Sequence, residues 1–143
     1  MKKIIIQLIG LLISLSAESQ VNMMLGTGFN KTATFTLRGG YEANYFDFSA
    51  GFEHPLTRYK SNLIQYSLIT GYKVYQNDAE SLIPEVGIGV INLNDDQKRL
   101  QHPYYPIVGA KWEEDISGDG WLFGEAQWCK TVKVNIGIIV KFN

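Results

Sequence analysis

From Gln20 to Phe142 apolar and polar residues alternate at every second position, in segments separated by short polar stretches. Successive side chains of an extended backbone point to opposite sides, so a period of two marks a two-faced strand. No segment shows an apolar period of 3.6, and no helix is predicted beyond the N-terminal region. The first strand, QVNMMLGTGF, sets Val21, Met23, Leu25, Thr27 and Phe29 against Gln20, Asn22, Met24, Gly26 and Gly28. In ATFTLRGGYE, Ala33, Phe35, Leu37 and Tyr41 oppose Thr34, Thr36, Arg38, Gly40 and Glu42. A tight turn near Ala43 and Asn44 leads into YFDFSAGFEH, where Phe46, Phe48, Ala50 and Phe52 oppose Tyr45, Asp47, Ser49, Gly51 and Glu53.

The second half repeats the pattern. Residues 62–75 are predicted as the longest strand, with Ile64, Tyr66, Leu68, Tyr72 and Val74 opposite Gln65, Ser67, Gly71 and Lys73. QNDAES reads as a turn, and a fifth strand starts at Pro84, where a missing ladder donor is tolerated. Its Val86, Ile88 and Val90 oppose Glu85, Gly87 and Gly89. After the charged loop NDDQKRLQHP, a sixth strand places Tyr104, Val108, Ala110 and Trp112 opposite Tyr105, Ile107, Gly109, Lys111 and Glu113. Pro106 within it suggests a bulge or an edge-like spot. Following the turn EDISGDG, the seventh strand has Leu122, Ala126 and Trp128 against Glu125 and Gln127, a pattern that Trp121 and Phe123 break. The last strand, residues 132–142, sets Val134, Ile136, Ile138, Val140 and Phe142 against Lys133, Asn135, Gly137, Ile139 and Lys141. Eight strands with short connections predict an all-β, antiparallel up-and-down meander that closes on itself.

Alternation does not say which face is inside: a soluble lipocalin-type barrel buries its apolar face, and a membrane barrel turns that face to lipid. The mixed faces carry six acids (Glu42, Asp47, Glu53, Glu85, Glu113, Glu125) and five bases (Arg38, Lys73, Lys111, Lys133, Lys141), and the apolar faces carry none. Near-equal numbers allow an internally paired network, which burial requires. Glycines crowd the same charged face, at Gly26, Gly28, Gly40, Gly51, Gly71, Gly87, Gly89, Gly109 and Gly137. They give long charged side chains room to cross a narrow interior, whereas a water-exposed strand gains nothing from them. Tyr41, Phe46, Tyr72, Tyr104, Trp112, Trp128 and Phe142 lie near strand ends of the apolar face, which suits a bilayer interface. The expected fold is therefore a closed eight-stranded transmembrane β-barrel with its charges inside.

The N-terminus changes the picture from barrel to exported barrel. MKKIIIQLIGLLISLSAESQ has two lysines, an apolar run and small residues at Ala17 and Ser19, the order of a cleaved secretory signal over residues 1–19. About 12 apolar residues fall short of the ~20 that span a bilayer as a helix. No cysteine stands near the cut to carry a lipid. Residues 20–143 then form one domain. With 13 basic and 14 acidic residues the chain gives no electrostatic reason to bind nucleic acid. The single cysteine, Cys129, excludes an internal disulfide.

In the last strand Asn135, Gly137, Val140 and Phe142 form a polar, glycine, apolar, aromatic series that ends one residue from the terminus. This resembles the C-terminal signal by which outer-membrane barrels are recognised by their assembly machinery. With the export signal and eight alternating strands, the whole chain resembles the small outer-membrane barrels represented by the OmpA membrane domain and OmpX. That resemblance implies an outer-membrane location in a Gram-negative-type bacterium. Outer-membrane lipid is the expected surrounding, and the barrel-assembly machinery the expected partner during biogenesis.

Candidate chemistry is sparse. An eight-stranded barrel has room for side chains and no open channel, so the expected role is structural or interaction-based, with a membrane protein as the possible partner. The alternative of a lipid-modifying enzyme needs a lipid-facing nucleophile and base, and His54 with Ser61 or Ser67 is the set to examine. The His-x-Ser-Asn pattern of the lipid A deacylases is absent, so no catalytic residue is assigned. Asn94, Asp95 and Asp96 lack the spacing of a calcium loop, and His102 has no acid at a telling distance in sequence. No cofactor or metal is expected. The second alternative, an exported soluble lipocalin-like ligand-binding barrel, requires the apolar face to be interior.

Overall fold

A computed structural model of the chain describes residues 19–30, 32–56, 63–93, 104–129 and 131–142. Nine strands follow in order: β1 (Ser19–Asn30), β2 (Thr32–Ala43), β3 (Phe46–Pro55), β4 (Leu63–Tyr72), β5 (Tyr75–Gln76), β6 (Glu80–Leu93), β7 (Tyr104–Asp115), β8 (Gly120–Trp128) and β9 (Val132–Phe142). Both β4 and β5 pair with β6 and together make one wall strand. All pairings are antiparallel, and β9 returns to β1, with Val21 opposite Phe142 and Phe29 opposite Val134. The result is a closed barrel of eight wall strands, and the otherwise bare edge of the last strand is satisfied by the first. Of the predicted signal, residues 1–18 lie outside the described residues, and Ser19 opens β1.

The apolar faces are outside. Val21, Leu68, Val86, Ile88, Val132 and Ile136 are each more than half exposed along the wall, while their sequence neighbours of opposite parity are mostly buried. An exposed apolar exterior around a polar interior is the arrangement of a transmembrane barrel, since only a closed sheet satisfies its backbone groups within lipid. A soluble ligand-binding barrel would have the reverse.

Local departures from the alternation pattern have physical causes. The turn predicted at QNDAES is shorter than expected, because Glu80 and Ser81 already belong to β6. Asn77 closes it: its Oδ1 accepts from the backbone nitrogens of Ala79 and Glu80 at 2.8 and 2.6 Å. Pro84 therefore lies inside a strand rather than at its start. The wall accommodates it with a bulge: Gly71 faces Glu85 while Tyr75 faces Leu82, so four steps along the outer chain span three along β6. The extra residue falls at Lys73 and Val74, which divides β4 from β5. Pro106, where a bulge or an edge-like spot was expected, keeps regular register opposite Ile88, and the second alternative holds. On its other flank the pairing with β8 begins only at Val108, so no ladder partner misses the proline's donor.

Trp121 and Phe123, which broke the pattern of the seventh predicted strand, face inward. Phe123 is buried with Met24 and Ile139, and Trp121 packs against that cluster. A second apolar cluster holds Ile69, Tyr105, Ile107 and Cys129. Glycine opposite the large rings supplies the space. A Cβ at Gly26 or Gly137 would come within 2.8 Å of the Phe123 ring, and one at Gly89 would stand 2.1 Å from that of Tyr105.

The two ends of the barrel differ. Ser19, Phe142 and the turns at residues 44–45, 77–79 and 116–119 share one end. There Asn44 takes a left-handed φ of 51° and Gly118 one of 76°, which short polar residues and glycine adopt with least strain. The last residues of β1, β3, β6 and β8 lie at the other end. The predicted charged loop 94–103, with Asn94, Asp95, Asp96 and His102, is outside the described residues.

Candidate functional site

Because inward positions recur at every second residue of every strand, the charges of one parity converge on the barrel axis. Arg38, Glu42, Asp47, Glu53, Lys73, Glu85, Lys111, Glu113, Glu125, Lys133 and Lys141 are all buried, and Lys111 and Glu113 have no exposure at all. They form two ion-paired groups. In the first, Arg38 grips Glu125 with both terminal nitrogens, Nη2 to Oε2 at 3.0 Å, and reaches Glu53 Oε1 at 3.2 Å. Lys133 pairs with the same Glu53 oxygen. Such bidentate contacts are the strongest that a guanidinium makes with a carboxylate.

The second group centres on Lys111. Its ammonium contacts Asp47 and lies 2.9 Å from Glu113 and 3.7 Å from Glu85. Lys141 links Glu113 at 3.0 Å to Glu42 at 2.9 Å, and Lys73 completes the series at 3.0 Å from Glu42. Lys141 also stands 3.9 Å from the centre of the Trp121 ring, a cation–π contact made possible by the inward tryptophan. Gln127 bridges the groups, donating from Nε2 to Glu125 at 2.7 Å and to Glu85 at 3.3 Å.

Gln127 and Trp121 were not among the candidate site residues. Inward parity marked Gln127 in the sequence, but nothing there showed that it would join two carboxylates. The four residues of the C-terminal series divide by parity. Asn135 is buried and donates to Glu125 Oε2 at 2.6 Å, and a Cβ at Gly137 would meet Leu25 O at 2.1 Å. Val140 and Phe142 belong to the outward face.

An open cavity of about 750 Å³ lies at the turn end, with Glu42, Lys73 and Lys141 in its lining beside Asn44, Gln76 and Trp121. The possible enzyme set is not assembled by the described residues. His54 has outward parity and is half-buried, whereas Ser67 is buried inside the barrel; Ser61 lies outside the described residues. No group of three or more His, Cys, Asp or Glu among the described residues is arranged to hold a metal ion.

No protein-family model matches the chain, and no curated protein matches it. Solved barrels do. The N-terminal β-barrel domain of Pseudomonas aeruginosa OprF aligns over 86% of this chain and 97% of that one, with a TM-score of 0.71 at 13% identity. The de novo designed protein TMB2.3 gives 0.68 at 15% identity, over 87% of this chain and 95% of its own. The Yersinia pestis outer membrane protein Ail, solved in a phospholipid bilayer nanodisc, gives 0.58 at 14% identity, over 87% and 98%. The chain thus shares the fold of the small outer-membrane barrels. A fold also adopted by a designed protein carries no function by itself.

Proposed function

We propose that this protein is an integral β-barrel of a bacterial outer membrane, with a structural or interaction role and no open pore. The observation that carries the reading is the ion-paired interior: large charged side chains from seven of the eight wall strands meet across the axis and occupy the space a pore would need. The wall supports the location. Eleven residues of β9 at ~3.3 Å per residue and a tilt of ~40° rise ~28 Å, close to the ~25 Å apolar band of outer-membrane barrels. The aromatic contacts of Phe46 with Phe48 and Tyr72 place a ring cluster near the turn end, as an interfacial girdle requires.

In this reading residues 1–19 are the export signal, and the series Asn135, Gly137, Val140 and Phe142 presents the last strand to the assembly machinery. The turn end, with both ends of the barrel chain, faces the periplasm. A protein partner would contact the wall, because the turns are short. Heat-modifiable gel mobility of the purified protein and its distribution between separated membranes test the location. Planar-bilayer recording tests the closed interior, with no sustained conductance expected. A soluble periplasmic product would remove the membrane reading, and steady unitary currents from the wild-type chain would remove the plug.

A further inference from the structure

The two ion-paired groups differ in charge. Arg38 and Lys133 balance Glu53 and Glu125 in the first. In the second, Lys73, Lys111 and Lys141 face Glu42, Asp47, Glu85 and Glu113, which leaves one carboxylate in excess. The geometry identifies it. Glu42 has Lys73 at 3.0 Å, Glu113 has Lys141 at 3.0 Å, and Asp47 has Lys111 in contact. Among the described residues Glu85 alone of the four has no cation within 3.0 Å, its nearest being Lys111 at 3.7 Å. Its other contacts are the neutral Gln127 amide on Oε2 and the Glu125 carboxyl, which stands within hydrogen-bonding reach.

The surroundings offer little else. Gly71 and Gly109 flank Glu85 on the neighbouring strands and present no side chain to it. Lys111 comes from β7, Gln127 and Glu125 from β8, Asp47 from β3 by way of Lys111, and Arg38 from β2 by way of Glu125. Arg38 is already committed to two acids, and Glu125 is a like charge. Glu85 is 2% exposed. An unmatched charge at that depth is strongly disfavoured unless a counter-charge accompanies it.

We propose that the folded barrel takes up one positive charge from solvent at the Glu85 carboxylate, in the form of a proton or an alkali cation. The inference rests on the interior geometry and is independent of the cellular role, so it stands or falls apart from the membrane location. The test uses the whole barrel folded in an uncharged detergent. Its urea midpoint is read by gel mobility in sodium chloride and in choline chloride at equal ionic strength, at several pH values between the ordinary carboxylate and lysine ranges.

An alkali cation raises the midpoint in sodium over choline, because choline is too large to enter. A proton gives equal midpoints in the two salts, which fall together as pH rises, since a proton bound only in the folded state is lost then. Glu85→Gln, equal in shape and uncharged, abolishes whichever dependence the wild type shows and keeps its midpoint at or above the wild-type value. His54, His102 and Cys129 remain in both proteins, so the difference belongs to Glu85. Glu53→Gln, in the balanced group, instead lowers the midpoint. A wild type indifferent to both cation and pH overturns the proposal without any variant. A Glu85→Gln protein that retains the wild-type dependence, or that fails to fold where Glu53→Gln folds, overturns it as well.

Discussion

Replacing Arg38 with methionine keeps a long unbranched stem in the barrel and removes the guanidinium. The loss is two contacts to Glu125 and one, at 3.2 Å, to Glu53. Glu53 retains Lys133, while Glu125 keeps the neutral amides of Asn135 and Gln127 at 2.6 and 2.7 Å and a contact with the Glu85 carboxyl. One buried carboxylate is therefore stranded without a cation. Removing one partner of a buried, hydrogen-bonded pair costs about 3–5 kcal/mol, roughly 2 to 4 powers of ten in the unfolding equilibrium. Urea titration in detergent, followed by gel mobility and tryptophan emission, measures it. The double variant Arg38→Met with Glu125→Gln removes the stranded charge and should recover more than half of the loss. A single-variant loss below ~1 kcal/mol, the size of an exposed ion pair, would refute the network as a closed, dry plug. Additive single losses in the double variant would refute the direct coupling of Arg38 to Glu125.

Three further outcomes follow from the wall and its tips. Gly137→Ala places a Cβ 2.1 Å from Leu25 O and 2.5 Å from Gly26 Cα, backbone that cannot yield, and should lower stability by about 1–3 kcal/mol; Gly39→Ala meets nothing within 4 Å and should raise it by up to ~1 kcal/mol. Unfolding titrations of the pair read that contrast directly, and equal effects would contradict the packing described. Ile136→Lys, at mid-height on the lipid face, should cost about 2–4 kcal/mol in lipid vesicles, against ~0–1 kcal/mol for Val21→Lys near the barrel end. At the tip after β8, burial pushes the Cys129 thiol above its ordinary range. Folded protein should therefore react slowly with a maleimide near neutral pH and faster as pH rises toward thiolate formation, while urea-unfolded protein reacts at the rate of a free cysteine.

Facing was legible in the sequence because it depends only on parity. Once Arg38 and Glu42 share a side of their strand with Thr36, the backbone period places all three inside or all three outside. The closure of β9 onto β1 was equally accessible, since a two-faced terminal strand needs a partner. Parity failed where the interior itself is apolar. Trp121 and Phe123 looked like defects of a strand, yet they face Gly137 and Lys141 across the β8–β9 hairpin and Gly26 of β1, which comes opposite only when the sheet closes. The bulge lies at Lys73 and Val74, and Pro106 is the edge-like spot, for a related reason. Whether a proline interrupts a ladder depends on whether a neighbour stands on the flank that lacks the donor.

The sequence by itself determined the period, the strand count, and the separation of charged from apolar faces, all properties of a single chain in extended form. Only the tertiary structure decided which charges meet. Arg38 and Glu125 are 87 residues apart, and Lys141 and Glu42 are 99 apart. Their pairing depends on strand register, on the bulge that shifts it, and on the tilt with which the sheet closes. The unequal division of charge between the two groups, with Glu85 left over, follows from that geometry, because charge matching in a low-dielectric interior is decided over a few ångströms and not over the chain as a whole.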